Sequence, residues 1–375
     1  MRTDLCETFG IEFPLFAFSH CRDVVAAVTN AGGFGVLGAV AFSPGRLEEE
    51  LRWIDDHVGG RPYGVDVLVP GKIAKEAEAS GDLLAAIPPG HWEFLAGLFE
   101  RYGVPAPDLS AGRRDARRGG RQVTEEGATE LIDVALHHPI RLIASALGPP
   151  PPVMVERARA AGVPVAALVG TVEHARRQVQ AGADLIVAQG SEAGGHTGEI
   201  STMVLVPEVV DAVAPLPVLA AGGIASGRQM AAAMALGAQG VWCGSVWLTT
   251  EEAETLPAVK AKMLAASSSD TVRSRSRTGK PARQLRSAWT DEWDTSSDSP
   301  GALPMPLQMI VAEGAMGPIG TAAENGNEGA RQLVNYFVGQ VVGRMNTVRP
   351  ARQVVYDMIE EFGDALERLV ELGAG

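Results

Sequence analysis

The chain has 375 residues, of which 46% are apolar and 21% charged, and its formal net charge is −13 at pH 7. That length fits one large α/β domain, or a barrel with an appendage, and the acidic balance argues against nucleic acid and anionic membrane as main partners. The cysteines, Cys6, Cys21 and Cys243, form no C-x-x-C pair, which argues against a disulfide framework and a structural zinc site.

Reduced thiols, an opening Met1-Arg2-Thr3-Asp4-Leu5 without an apolar signal region, and the lack of a membrane-length apolar run predict a soluble, cytoplasmic protein. The basic run Arg113–Arg121 reads as a solvated loop.

Phe13–Phe18 and Gly35–Gly38 read as strands, with an Ala/Val-rich helix over Asp23–Ala31 between them. Ser43-Pro44 before Leu47–His57 is an N-cap followed by a first-turn proline, and Tyr63–Val69 is a third strand. Pro70–His138 then separates strands three and four by far more than a normal crossover. Trp92, Phe94, Leu95, Leu98 and Phe99 give this insertion a helix with an apolar face, either a lid or a peripheral element. Further strands follow at Ile140–Ala144, Val163–Val169, Leu185–Ala188, Val218–Ala221 and Gly240–Gly244. The helices between them, Pro152–Ala161, Val172–Ala181 and Arg228–Leu236, each stop at a glycine that supplies a left-handed cap.

Most of these strands are apolar throughout, as parallel strands covered on both faces are. Eight of them with intervening helices predict a (β/α)₈ barrel; a doubly wound sheet is the runner-up, weakened because no Gly-x-Gly-x-x-Gly follows the first strand. The expected organisation is a barrel over residues 1–266, including the insertion 70–138, with an extension over 267–375 packed on it. Within the extension, Ser267–Ser269, Thr290–Ser299 and Gly314–Glu328 read as loops, and Gly329–Arg344 and Arg352–Leu372 as amphipathic helices.

Two patterns carry chemistry. Gln189-Gly190-Ser191-Glu192-Ala193-Gly194-Gly195-His196-Thr197-Gly198 follows a buried strand, at the barrel end where active sites form. Glycine lets a backbone approach a ligand closely, and histidine exchanges a proton near neutral pH. Of the seven histidines only His196 occupies such a loop, which favours acid/base catalysis over a loop-anchoring bond. Glu192 is a rival base, better read as ordering the loop, and no third ligand for a metal lies nearby. The second pattern pairs Ala221-Gly222-Gly223-Ile224 with Gly244-Ser245 at successive strand ends, where backbone N–H groups can converge on a phosphate.

These motifs resemble the nitronate monooxygenase family, formerly called 2-nitropropane dioxygenases. Asn30-Ala31-Gly32-Gly33-Phe34-Gly35 and Thr278-Gly279-Lys280-Pro281-Ala282-Arg283 are also similar to stretches of that family. The resemblance implies an FMN-binding TIM barrel that oxidises alkyl nitronates with O₂, in which His196 is the acid/base or substrate-orienting residue. It implies that Gln189 faces the flavin ring and that Gly222, Gly223, Gly244 and Ser245 hold its phosphate, with Gly194 and Gly195 beside the cofactor. Ala17, Phe18 and Asp66 stand where the family often has Ala-Pro-Met and Gly-x-Asn near the ring, so substrate choice and ring hydrogen bonding differ there. The same Glu-Ala-Gly-Gly-His loop occurs in FMN-dependent reductases of enoyl thioesters that use NAD(P)H, with quinone reductases among the relatives. That is the alternative, followed by a barrel that binds FMN without turnover. Implied partners are a small-molecule substrate with O₂ or NAD(P)H, and homo-oligomerisation stays open.

Overall fold

The parallel strands β1 (Leu15–Ser19), β2 (Phe34–Gly38), β3 (Tyr63–Leu68), β4 (Leu142–Ala146), β5 (Val165–Val169), β6 (Leu185–Gln189), β8 (Val218–Ala221) and β9 (Gly240–Cys243) close into an eight-stranded barrel. β9 pairs back onto β1, with Ala17 opposite Cys243, and seals the ring. A computed structural model gives this fold and describes residues 2–68, 83–105 and 125–373.

Each of the eight barrel strands falls on a stretch read from the sequence as strand, and the doubly wound alternative is excluded by closure. Helices α2 (Arg22–Asn30), α3 (Pro44–His57), α4 (Pro89–Arg101), α6 (Pro152–Ala160), α7 (Val172–Gln180) and α9 (Gly227–Ala235) fall on stretches read as helical, and α1 (Asp4–Phe9), α5 (Glu125–His137), α8 (Thr202–Val213) and α10 (Pro257–Ala265) add to them. The Ser43 and Ser226 hydroxyls accept the N–H groups of Arg46 and Gln229, capping α3 and α9. Gly162, Gly182 and Gly237 have φ of 68°, 100° and 99°, the left-handed caps that the helix-to-strand turns need.

Side chains alternate across each strand. On β3, Tyr63, Val65 and Val67 join the cluster under the helices, so Gly64 and Asp66 point inward. On β1, Phe16 and Phe18 face inward while Leu15 and Ala17 face the helices. The inner cluster stacks Phe16, Phe34, Leu142, Leu185 and Trp242, and Leu5, Cys6 and Phe9 of α1 plug the barrel floor. The opposite end, at the strand C-termini, carries the residues of the candidate site.

The extension departs from its sequence reading. Residues 267–299 contain a hairpin, β10 (Thr271–Ser274) with β11 (Ala282–Leu285), and a helix α11 (Ala288–Thr295) opened by a Ser287/Thr290 capping box. Gly314–Glu328 is not a loop: α12 spans Leu307–Glu324 and buries Val311, Ala312, Ala315, Ile319 and Ala322. That helical stripe outweighs the glycines between. Residues 329–344 form only a short α13 (Glu328–Leu333), an extended stretch and a 3₁₀ turn (Gln340–Arg344), and the chain ends in α14 (Ala351–Gly373).

Within the insertion, α4 packs on α11 through Phe94 and Trp293, ring centroids 4.9 Å apart, and Tyr102 donates to Glu292 at 2.9 Å. The rest of the 70–138 insertion up to Glu125, namely 70–82 and 106–124 with the Arg113–Arg121 run, lies outside the described residues together with Val69. Among the described residues no helix is long and apolar enough to cross a membrane.

Candidate active site

The glycine loop after β6 is laced to its neighbours. Gln189 faces the barrel axis, on the same side as Leu185 and Val187. The Glu192 carboxylate accepts the Thr202 N–H and hydroxyl, each at 3.0 Å, so it fixes the start of α8 and is spent on ordering the loop. A Cβ on Gly194 would sit 2.9 Å from Val338 and Gly339 backbone atoms. The space that glycine vacates at 194 is therefore filled by the chain's own extension. Gly195 has φ +76° and opens onto free space.

Gly195 and His196 form a short strand, β7, that pairs with β11, His196 opposite Ala282. This third strand of the hairpin sheet was not legible in the sequence, because its partner lies some 90 residues away. His196 Nε2 lies 2.9 Å from Thr278 Oγ1, and the ring faces Phe337 with centroids 6.4 Å apart. Burial, then the nearby Lys280 ammonium, push the imidazole down to about 4. At neutral pH His196 is uncharged and able to accept a proton or a hydrogen bond.

The neighbouring strand ends β8 and β9 carry the second pattern. Gly222 and Gly223 have φ of +93° and +72°, and a Cβ on Gly222 would meet the Gly190 carbonyl at 2.9 Å. Among the described residues, the N–H groups of Gly223, Ile224, Gly244 and Ser245 donate to no backbone or side-chain acceptor. Ser245 Oγ accepts the Gly339 N–H at 2.8 Å, which leaves its own proton to give. Uncommitted donors on two adjacent strand ends fit a phosphate.

The remaining wall is Phe18 and Asp66. Phe18 Cδ1 is 3.8 Å from the Cβ position of Gly244, and its ring stacks on Trp242 with centroids 6.3 Å apart. Asp66 is 6% exposed and, among the described residues, no group hydrogen-bonds its carboxyl, so burial raises it to about 7. Ala17, expected beside the flavin, turns its side chain outward because Phe16 and Phe18 take the inward positions. His20, which no local sequence signal singles out, packs edge-on to Phe18 at 5.1 Å, and its Nδ1 bonds the Gly38 carbonyl at 2.9 Å. Gly38 pairs with Asp66 across β2 and β3, so His20 belongs to the same wall.

The nitronate monooxygenase family model matches residues 2–361. The chain belongs to this family. Its relatives include the Mycobacterium tuberculosis protein named "Putative monooxygenase Rv1533", 63% identical over 98% of both chains. A Staphylococcus aureus protein named "Probable nitronate monooxygenase" is 28% identical over 97% of this chain and 98% of its own. Among solved structures, the nitroalkane oxidase from Streptomyces ansochromogenes superposes with a TM-score of 0.77 at 26% identity, covering 97% and 99% of the two chains. FabK from Thermotoga maritima superposes with a TM-score of 0.71 at 26% identity, covering 99% of each. As a nitronate monooxygenase family member the chain is an oxidoreductase, and the family match spans the barrel and most of the extension that buttresses the glycine loop.

Proposed function

We propose that this protein is an FMN-dependent oxidoreductase that oxidises small alkyl nitronates with O₂. One observation carries the reading: an uncharged, half-buried His196 stands on a glycine loop beside two strand ends whose N–H donors are uncommitted among the described residues. The donors of Gly223, Ile224, Gly244 and Ser245 suit the flavin phosphate, and Phe18, Asp66 and Gln189 suit the ring. Bound there, the flavin supplies electron transfer with substrate and O₂, and the protein supplies binding, orientation and electrostatics. His196 accepts a proton from the substrate, or a hydrogen bond that orients it. Asp66 is a neutral acid below about pH 7 and a hydrogen-bond donor there; once ionised it disfavours negative charge on a ring beside it.

The test is the absorbance spectrum of protein loaded with FMN, followed by anaerobic titration. Nitronate is expected to bleach the flavin and O₂ to restore it. Fast bleaching by NAD(P)H with slow bleaching by nitronate would instead support the enoyl-thioester or quinone reductase. A protein that stays colourless with added FMN would refute every flavin reading.

A further inference from the structure

We propose that Thr278 is the positioning residue that sets the tautomer of His196, holding a proton on Nε2 and leaving Nδ1 as the basic nitrogen of the site. The proposal rests on the reading of His196 as the acid/base. Thr278 is 5% exposed, and its Oγ1 has three polar neighbours: His196 Nε2 at 2.9 Å, the Lys280 carbonyl oxygen at 3.0 Å and the Lys280 N–H at 3.3 Å. A hydroxyl has one proton and two lone pairs. The Lys280 N–H uses one lone pair, and the Lys280 carbonyl can only accept, so it takes the hydroxyl proton. What remains for the imidazole is a lone pair. Nε2 must therefore be the donor, and Nδ1 keeps its lone pair, with no protein partner among the described residues.

The surrounding backbone holds this arrangement. Ala282, four residues past Thr278, is the register partner of His196, so loop and hairpin are one sheet. Arg283 Nε donates to the Ser191 carbonyl at 2.9 Å and Arg273 Nη2 to the Thr197 carbonyl at 3.3 Å, clamping the glycine loop on both sides of His196. Gly279 has φ +83°, and the Cβ it lacks would meet the Leu303 carbonyl at 2.3 Å. The Thr278–Lys280 turn is thus set by the extension. Burial and the Lys280 ammonium keep the ring uncharged at neutral pH, so the ring's functional state is its tautomer rather than its charge. When Nδ1 takes a proton, the Nε2–H already points at an oxygen whose own proton is directed away, and the new charge is stabilised in place.

The experiment reads the tautomer directly. In ¹⁵N-histidine-labelled, FMN-loaded protein at pH 7, two-bond ¹H–¹⁵N correlations distinguish the two forms, and His196→Gln assigns the signal. The Nε2–H form is expected to dominate. Thr278→Val keeps the shape and loses the hydroxyl; it should move the ring to a mixture or to the Nδ1–H form and lower kcat by roughly 10- to 100-fold, the scale seen when an outer partner of a working histidine is removed. FMN affinity should stay within about twofold, and Thr278→Ser should restore both tautomer and kcat. An Nδ1–H ring in the unmodified protein, or an unchanged tautomer in Thr278→Val, would overturn the proposal. A His196→Ala protein with unchanged turnover would overturn the acid/base reading instead, while the tautomer result would still stand for Thr278.

Discussion

Replacing Asp66 by Asn should stabilise the flavin-free protein, and the gain should grow with pH. Asp66 is buried, without a hydrogen-bond donor or a cation among the described residues, and its folded-state value is about 7 against an ordinary 3.8. Between those two pH values the unfolded chain has released the proton and the folded chain keeps it. The stability linked to this group is full below the ordinary value and is lost as pH rises toward about 7. Each pH unit in that window is worth about 1.4 kcal/mol. From pH 5 to pH 8 roughly two units of the window are crossed, so Asp66 alone costs about 3 kcal/mol on the order-of-magnitude scale of this linkage. Asn has nearly the same shape and no charge to bury. Urea unfolding of both proteins at pH 5 and pH 8 checks this, since every other titration cancels in the difference. The Asn variant's advantage should widen by about 3 kcal/mol, or roughly 1 M or more in urea midpoint on typical slopes. Parallel pH dependences for the two proteins would show that Asp66 ionises normally and that the argument from burial is wrong.

His196→Ala should lower kcat by roughly 10²–10⁴-fold, the usual scale for loss of an acid/base. In the unmodified enzyme the acid limb of kcat/KM should lie near the depressed value of about 4; a limb at an ordinary histidine value would assign it to another group. Ser245→Ala removes the hydroxyl that accepts the Gly339 N–H and has a proton left to give. Its FMN Kd should rise roughly 10- to 100-fold, the equivalent of a charge-assisted bond, and an unchanged Kd by fluorescence quenching would take Ser245 out of the phosphate site. Gly194→Ala forces a methyl against the Val338–Gly339 backbone and should cost about 1–3 kcal/mol of stability, as overpacking does. A thermal melt unaltered by that change would mean the extension can move aside.

Much of this molecule was legible in the chain. Short runs such as Leu185–Ala188 and Val218–Ala221 are apolar on both faces, and Gly162, Gly182 and Gly237 mark where each helix must turn back into a strand. Composition misled at Gly314–Glu328, because glycines flag loops only when no apolar stripe runs between them. His196 was legible because its loop is local. Thr278 belonged to a stretch noticed for its likeness to the family, yet its contact with His196 was not, and nothing near Phe337 or His20 marks them at all.

The sequence by itself determined the alternation of strands and helices, the glycine loop with its one histidine, and the two phosphate-type turns. All of these depend on residues within one turn or one strand of each other. Only the tertiary structure decided which nitrogen of His196 is tied down, that Glu192 is spent on Thr202, that Ala17 turns away while Asp66 turns in, and that the extension fills the space at Gly194. Those outcomes rest on barrel closure and on β7 meeting β11, pairings between distant segments whose free energy no local pattern encodes.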